Sequence, residues 1–120
     1  MFSFLKKQEV KKLNINEGYR NFENNPGKYI ILCVDEQKTY DEVHMRGAEN
    51  VPLRVMDIEM EEFYPEKDIT YYVYAINPAV SEKAARKLMT MGYDVYDLGC
   101  FIEFTGREEG NHARRKRKRR

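Results

Sequence analysis

Two short apolar runs stand out against an otherwise strongly polar chain. Residues 29–34, Tyr-Ile-Ile-Leu-Cys-Val, and residues 69–74, Ile-Thr-Tyr-Tyr-Val-Tyr, are β-branched and aromatic, the composition of strands buried on both faces. After the second run, residues 81–91 place Ala84, Ala85, Leu88 and Met91 at three- and four-residue spacing, with Gly92 as a stop, which predicts an amphipathic helix. Residues 54–64 carry Met56, Ile58, Met60 and Phe63 in a less regular helical pattern ended by Pro65. The remaining signals are weaker. Residues 11–15 and 48–51 read as short strands, 94–97 as a last strand and 39–43 as a helical turn. Residues 16–24 read as a helix capped by Asn16, followed by a turn at Asn25-Pro26-Gly27. Strands alternating with helices in this way predict an α/β domain, a mainly parallel central sheet flanked by helices on both faces.

The junction between the second apolar run and its helix holds the first functional signal. A strand leading directly into a helix N-terminus gathers backbone N–H donors at the positive end of the helix dipole, a ready anion site. The side chains there, Ala75, Ile76, Asn77, Pro78, Ala79, Val80 and Ser81, are chemically quiet. Asn77 is a favoured N-cap and Pro78 then occupies the first helical position, where a missing N–H costs nothing. The segment reads as a helix start in preference to a retained chemical site.

A second segment runs His44-Met-Arg-Gly-Ala-Glu-Asn-Val-Pro52. His44, Gly47, Ala48, Asn50 and Pro52 are followed by Val73-Tyr74, by Ala84, Ala85 and Leu88, and by Gly92-Tyr93-Asp94-Val95-Tyr96-Asp97-Leu98-Gly99. In this order, over residues 11–106, they resemble the rhodanese (sulfurtransferase) superfamily. The resemblance implies a rhodanese-like fold in which a catalytic Cys ends the strand and opens a six-residue active-site loop. Here the Cys position is Ala75. The Asp and Arg of the family's early Asp-Val-Arg triplet fall on Cys33 and Asp35, the frequent loop glycine falls near Pro78, and the Arg that often ends the loop is Val80. Sulfur transfer of this type needs a thiolate to carry the persulfide, and no side chain from 75 to 81 supplies one. Pro78 removes one amide from the cradle, and Val80 removes the positive charge that favours an oxyanion.

These departures predict a catalytically inactive rhodanese-like domain with a binding or regulatory role, its partner a protein or a small anion at the altered loop. No cofactor and no metal are expected, since His44, His112 and two separated cysteines show no zinc spacing. His44 reads as a structural hydrogen bonder. Cys33 falls in the central strand as a small buried hydrophobe. Cys100 takes the place of the second Gly in the family's closing Gly-Gly, in a turn near the loop. A displaced nucleophile at Cys100, handling persulfide, is therefore the enzymatic alternative. The acidic residues Asp57, Glu59, Glu61, Glu62, Glu66 and Asp68 read as a solvated face, and the tyrosines as sheet packing.

Charge changes the picture only at the C-terminus. Of 21 basic residues, seven are Arg114, Arg115, Lys116, Arg117, Lys118, Arg119 and Arg120, which leaves 14 against 20 acidic groups elsewhere. Residues 107–120 read as a disordered basic tail able to bind nucleic acid or anionic lipid without reading sequence. A polyanion-binding adaptor is thus the third reading. Residues 1–10 read as an N-terminal extension too short for a signal-peptide core, and no apolar run approaches the ~20 residues of a spanning helix. A cytoplasmic location is expected, with both cysteines reduced.

Overall fold

The computed structural model describes residues 9–113. Five strands form one fully parallel sheet in the order β1-β6-β5-β2-β4, with β1 at Lys11–Lys12, β2 at Tyr29–Cys33, β4 at Glu49–Asn50, β5 at Thr70–Ala75 and β6 at Asp94–Cys100. The two apolar runs lie side by side at its centre, Leu32 opposite Val73 and Cys33 opposite Tyr74. Neighbouring residues on these strands face opposite layers, as the two-residue period requires. Leu32, Tyr71, Val73 and Ala75 pack under α3 (Met56–Phe63) and α4 (Pro78–Thr90). Ile31, Cys33, Tyr72 and Tyr74 pack under α1 (Ile15–Asn24) and the 3₁₀ turn Phe101–Glu103. Ile31, Leu32, Tyr71 and Val73 are all fully buried, each contributing ~1.5–3 kcal/mol of apolar burial. The sheet is therefore covered on both faces, and the tyrosines Tyr71, Tyr72, Tyr74 and Tyr93 are part of that covering.

Several local expectations shift. The cap of α1 is Asn14, not Asn16: its extended backbone lets Oδ1 accept from the Asn16 and Glu17 N–H groups at 2.9 and 3.2 Å. Ile15 then becomes the first helical residue and is buried, so β1 stops at Lys12. Asn16 instead ties the helix to the far end of the chain, accepting from the Thr105 N–H and donating to the Glu103 carbonyl. The expected helical turn is α2, Gln37–Glu42, with Val43 already extended. The strand expected to end at Asp97 runs on to Cys100, past a bulge opposite Val73 and Tyr74.

One pairing was not foreseen. β3 (His44–Met45) and β7 (Glu108–Glu109) form a two-stranded antiparallel ladder. Beyond it the Asn111 and His112 N–H groups bond the carbonyls of Asp41 and Glu42. Residues 107–113 are thus hydrogen-bonded to the domain, because this segment satisfies backbone groups at the end of α2 that would otherwise lack partners. At the other terminus Val10 packs into the core. The basic run at 114–120 lies outside the described residues.

Candidate functional site

The parallel strands point their C-terminal ends at one edge, where the segments after β2, β5 and β6 converge. The motif residues build this edge from below. Asn50 donates from Nδ2 to the carbonyls of both Cys33 and Asp35, at 3.0 and 2.9 Å, and clamps the turn after β2. The Val51 and Leu53 N–H groups continue the clamp onto Cys33 and Val34. Gly47 has φ +86° and lies so close to the Phe22 ring that a Cβ would meet it at 2.9 Å, so both backbone and space require glycine. His44 stacks on Tyr40 with ring centroids 3.7 Å apart and donates from Nδ1 to the Tyr40 carbonyl at 2.7 Å. Its other ring nitrogen, Nε2, lies 3.5 Å from Glu109 Oε1, so both nitrogens of His44 are engaged within the domain.

The loop itself is closed by its own partners. Asn77 caps α4, accepting from the Ala79 N–H at 2.8 Å, while its carbonyl accepts from Val80 and Ser81. The Ile76 N–H, the first amide beyond the strand, donates to the Asp35 carboxylate at 3.0 Å. Asp35 stands where the resemblance would place an Arg, so a negative charge faces the amide that opens the cradle. Burial holds the Asp35 carboxyl above its ordinary range, opposed by the Ile76 N–H and the Cys33 thiol. Ala75 is fully buried, whereas Ile76 is 46% exposed at the tip.

Of the two cysteines, Cys100 touches this peptide directly and Cys33 touches its carboxylate partner Asp35. Cys33 Sγ lies 3.6 Å from Asp35 Oδ2, and burial pushes its thiol up to about 12. A thiol so raised is almost wholly protonated at neutral pH. Cys100 ends β6 directly opposite Ala75, in the strand rather than in a turn, and its thiol donates to the Ile76 carbonyl at 3.0 Å. It is partly exposed. The sequence placed Cys100 near the loop through the family pattern; the strand pairing sets it one strand over from the nucleophile position.

A polar network behind the loop was missed. Ser81, fully buried on α4, donates to the nearly buried Asp97 carboxylate of β6, which also accepts from the Gly99 N–H at 2.8 Å and pairs with Lys12 at 3.3 Å. This fixes the start of α4 against β6 and β1, beside a cavity of about 580 Å³ reached by Lys12, Asp97 and Gly99. The available signal was a Ser in the first turn of a helix followed by an Asp within an apolar strand, each unremarkable alone. Removing the carboxylate leaves the Ser81 hydroxyl and Gly99 N–H without acceptors at ~1–3 kcal/mol each. Asp97→Ala should therefore cost about 3 kcal/mol in urea unfolding and Asp97→Asn less than half of that. A loss under ~0.5 kcal/mol for Asp97→Ala would show the network to be incidental.

Among the described residues, no group of three or more His, Cys, Asp and Glu side chains converges to hold a metal ion, and no helix is long and apolar enough to cross a membrane.

No protein-family model matches the chain, and no curated protein matches it in sequence. Solved structures do. The rhodanese-like domain of the Anabaena sp. Alr3790 protein superposes with a TM-score of 0.75 at 21% identity, covering 87% of this chain and 82% of that one. The BH2092 protein from Bacillus halodurans gives 0.72 at 21% identity, covering 92% and 84%. A rhodanese with anions from E. coli gives 0.64 at 25% identity, covering 69% and 99%. With its five-stranded parallel sheet, its helices on both faces and these neighbours, the chain has the rhodanese-like domain fold.

Proposed function

We propose that this rhodanese-like domain does not transfer sulfur and acts as a binding or regulatory module, with residues 75–81 as its recognition surface. One observation carries the reading: at the strand end where a thiolate is required stands Ala75, and the neighbouring Ile76 N–H is already bonded to the Asp35 carboxylate at 3.0 Å. A persulfide has no sulfur to form on at that position, and an incoming oxyanion would meet a carboxylate instead of a guanidinium. The capped helix start and the exposed Ile76 favour a protein surface as partner over a small anion.

A second reading rests on Cys100, whose sulfur lies against the same loop peptide. In that case thiosulfate would deliver its outer sulfur to the Cys100 thiolate, sulfite would leave, and cyanide would take the sulfur as thiocyanate. The deciding experiment is the thiosulfate-to-cyanide assay with intact-mass detection of an added sulfur, on the native protein and on Cys100→Ser. We expect no turnover and no added sulfur in either. Turnover that disappears in Cys100→Ser would make Cys100 the nucleophile and overturn the binding reading. The third reading, a polyanion-binding adaptor, predicts salt-sensitive binding that is lost on deleting residues 114–120.

A further inference from the structure

On the layer opposite α1, α3 buries Met56 and Met60 but leaves Ile58 67% and Phe63 61% exposed. Ile58 and Met91, the residue that ends α4, line a groove of about 570 Å³ whose other walls carry Asp57, Glu61 and Glu62. Asp57 is paired with Lys87 at 2.9 Å. Among the described residues no ion pair is formed by Glu61 or Glu62. Exposed apolar side chains set among unpaired carboxylates suit a segment that offers apolar residues next to basic ones.

The chain contains such a segment. Residues 1–8 hold Phe2, Phe4 and Leu5 followed by Lys6 and Lys7. They join the domain at the same end of the sheet as the groove. Val10 packs in the core layer that contains Met60 and Tyr93, with Met91 against it. Lys11 lies 2.5 Å from Asp94, three residues beyond Met91. Eight residues reach up to ~28 Å when extended, while the four-residue path from Met91 to Val95, beside β1, spans at most ~14 Å. We propose that residues 1–8 dock into the groove between α3 and the end of α4, with Phe2, Phe4 and Leu5 over Ile58 and Met91, and Lys6 and Lys7 toward Glu61 and Glu62. The docked segment covers an apolar face that the folded domain otherwise leaves to solvent.

The chain has no Trp, so Phe4→Trp introduces a single reporter. In the full chain its acrylamide quenching constant should be at least threefold lower than in a peptide of residues 1–10 with the same substitution. Ile58→Glu, and separately Glu61→Lys with Glu62→Lys, should restore peptide-like quenching while the circular dichroism spectrum stays unchanged. Ile58, Glu61 and Glu62 are all exposed, and the two routes act by different physics, so a folding failure in one leaves the other decisive. Peptide-like quenching in the full chain overturns the proposal, as does protection insensitive to both variants. Protection that grows with protein concentration would assign the groove to a second copy, and protection seen only with phosphatidylserine vesicles would assign the segment to a membrane. Either result also overturns it.

Discussion

Raising the pH from 10 to 12 should sharply destabilise the domain, with the tyrosinate absorbance of its buried rings appearing together with the loss of near-ultraviolet dichroism instead of ahead of it. Tyr71 and Tyr72 are almost completely buried in the central strand, one on each face of the sheet. Burial pushes each phenol up to about 12, and Tyr74 is raised as well, again chiefly by burial. Tyr71 donates to the Glu66 carbonyl at 2.7 Å, which holds its proton, whereas Tyr72 accepts from Asn21 Nδ2 at 3.1 Å, a bond that opposes the rise without cancelling the effect of burial. A folded-state pKa above the unfolded value of about 10 means that the stabilisation is complete below pH 10 and is lost as pH rises toward 12. Each pH unit across that window costs ~1.4 kcal/mol per tyrosine. Tyr71 and Tyr72 together therefore remove at most ~5 kcal/mol, a large share of a typical domain stability of ~5–15 kcal/mol. Tyrosinate absorbance from all nine tyrosines in a domain that keeps its dichroism would show that the two rings are reached by solvent without unfolding.

The same sheet shows which features a sequence displays and which it does not. The central strands were legible because burial on both faces writes a continuous apolar run, and α4 because its cap, Asn77, and its first residue, Pro78, act within one turn. The cap of α1 was misplaced by two residues: Asn14 and Asn16 are equally good caps, and the choice is made by Ile15, whose burial under the sheet is a tertiary fact. β3 and β7 are two residues each and pair across more than sixty positions, so neither carries a period to detect. At the site, the losses at 75 and 80 could be read directly, as could the presence of Asp35. The bond from the Ile76 N–H to Asp35 could not, because it joins the ends of two strands that neighbour each other only in the folded sheet.

That bond leads to a prediction about what restoring a thiol would achieve. Ala75→Cys in a Cys100→Ser background should react slowly with thiol reagents and accept no sulfur from thiosulfate, although it restores the sulfur atom itself. The new thiol would occupy a fully buried position, one residue from an amide already bonded to a carboxylate. Burial and a nearby like charge both disfavour the thiolate. Adding Asp35→Ala removes the charge and frees the Ile76 N–H, and should raise the pH-corrected reaction rate at residue 75 by about tenfold or more, one pH unit in thiol pKa being a tenfold change in thiolate. Val80→Arg in addition would supply the positive charge that an oxyanion needs, and only this combination should show added sulfur by mass. Cys33 serves as the internal control, since its buried thiol should remain unmodified in every variant. If Ala75→Cys alone takes sulfur from thiosulfate, the missing thiol is the sole block and Asp35 does not obstruct the cradle. If the rate at residue 75 rises with Asp35→Ala, the carboxylate closes the loop to anions, and the surface left for recognition is the exposed side of Ile76 and the capped start of α4.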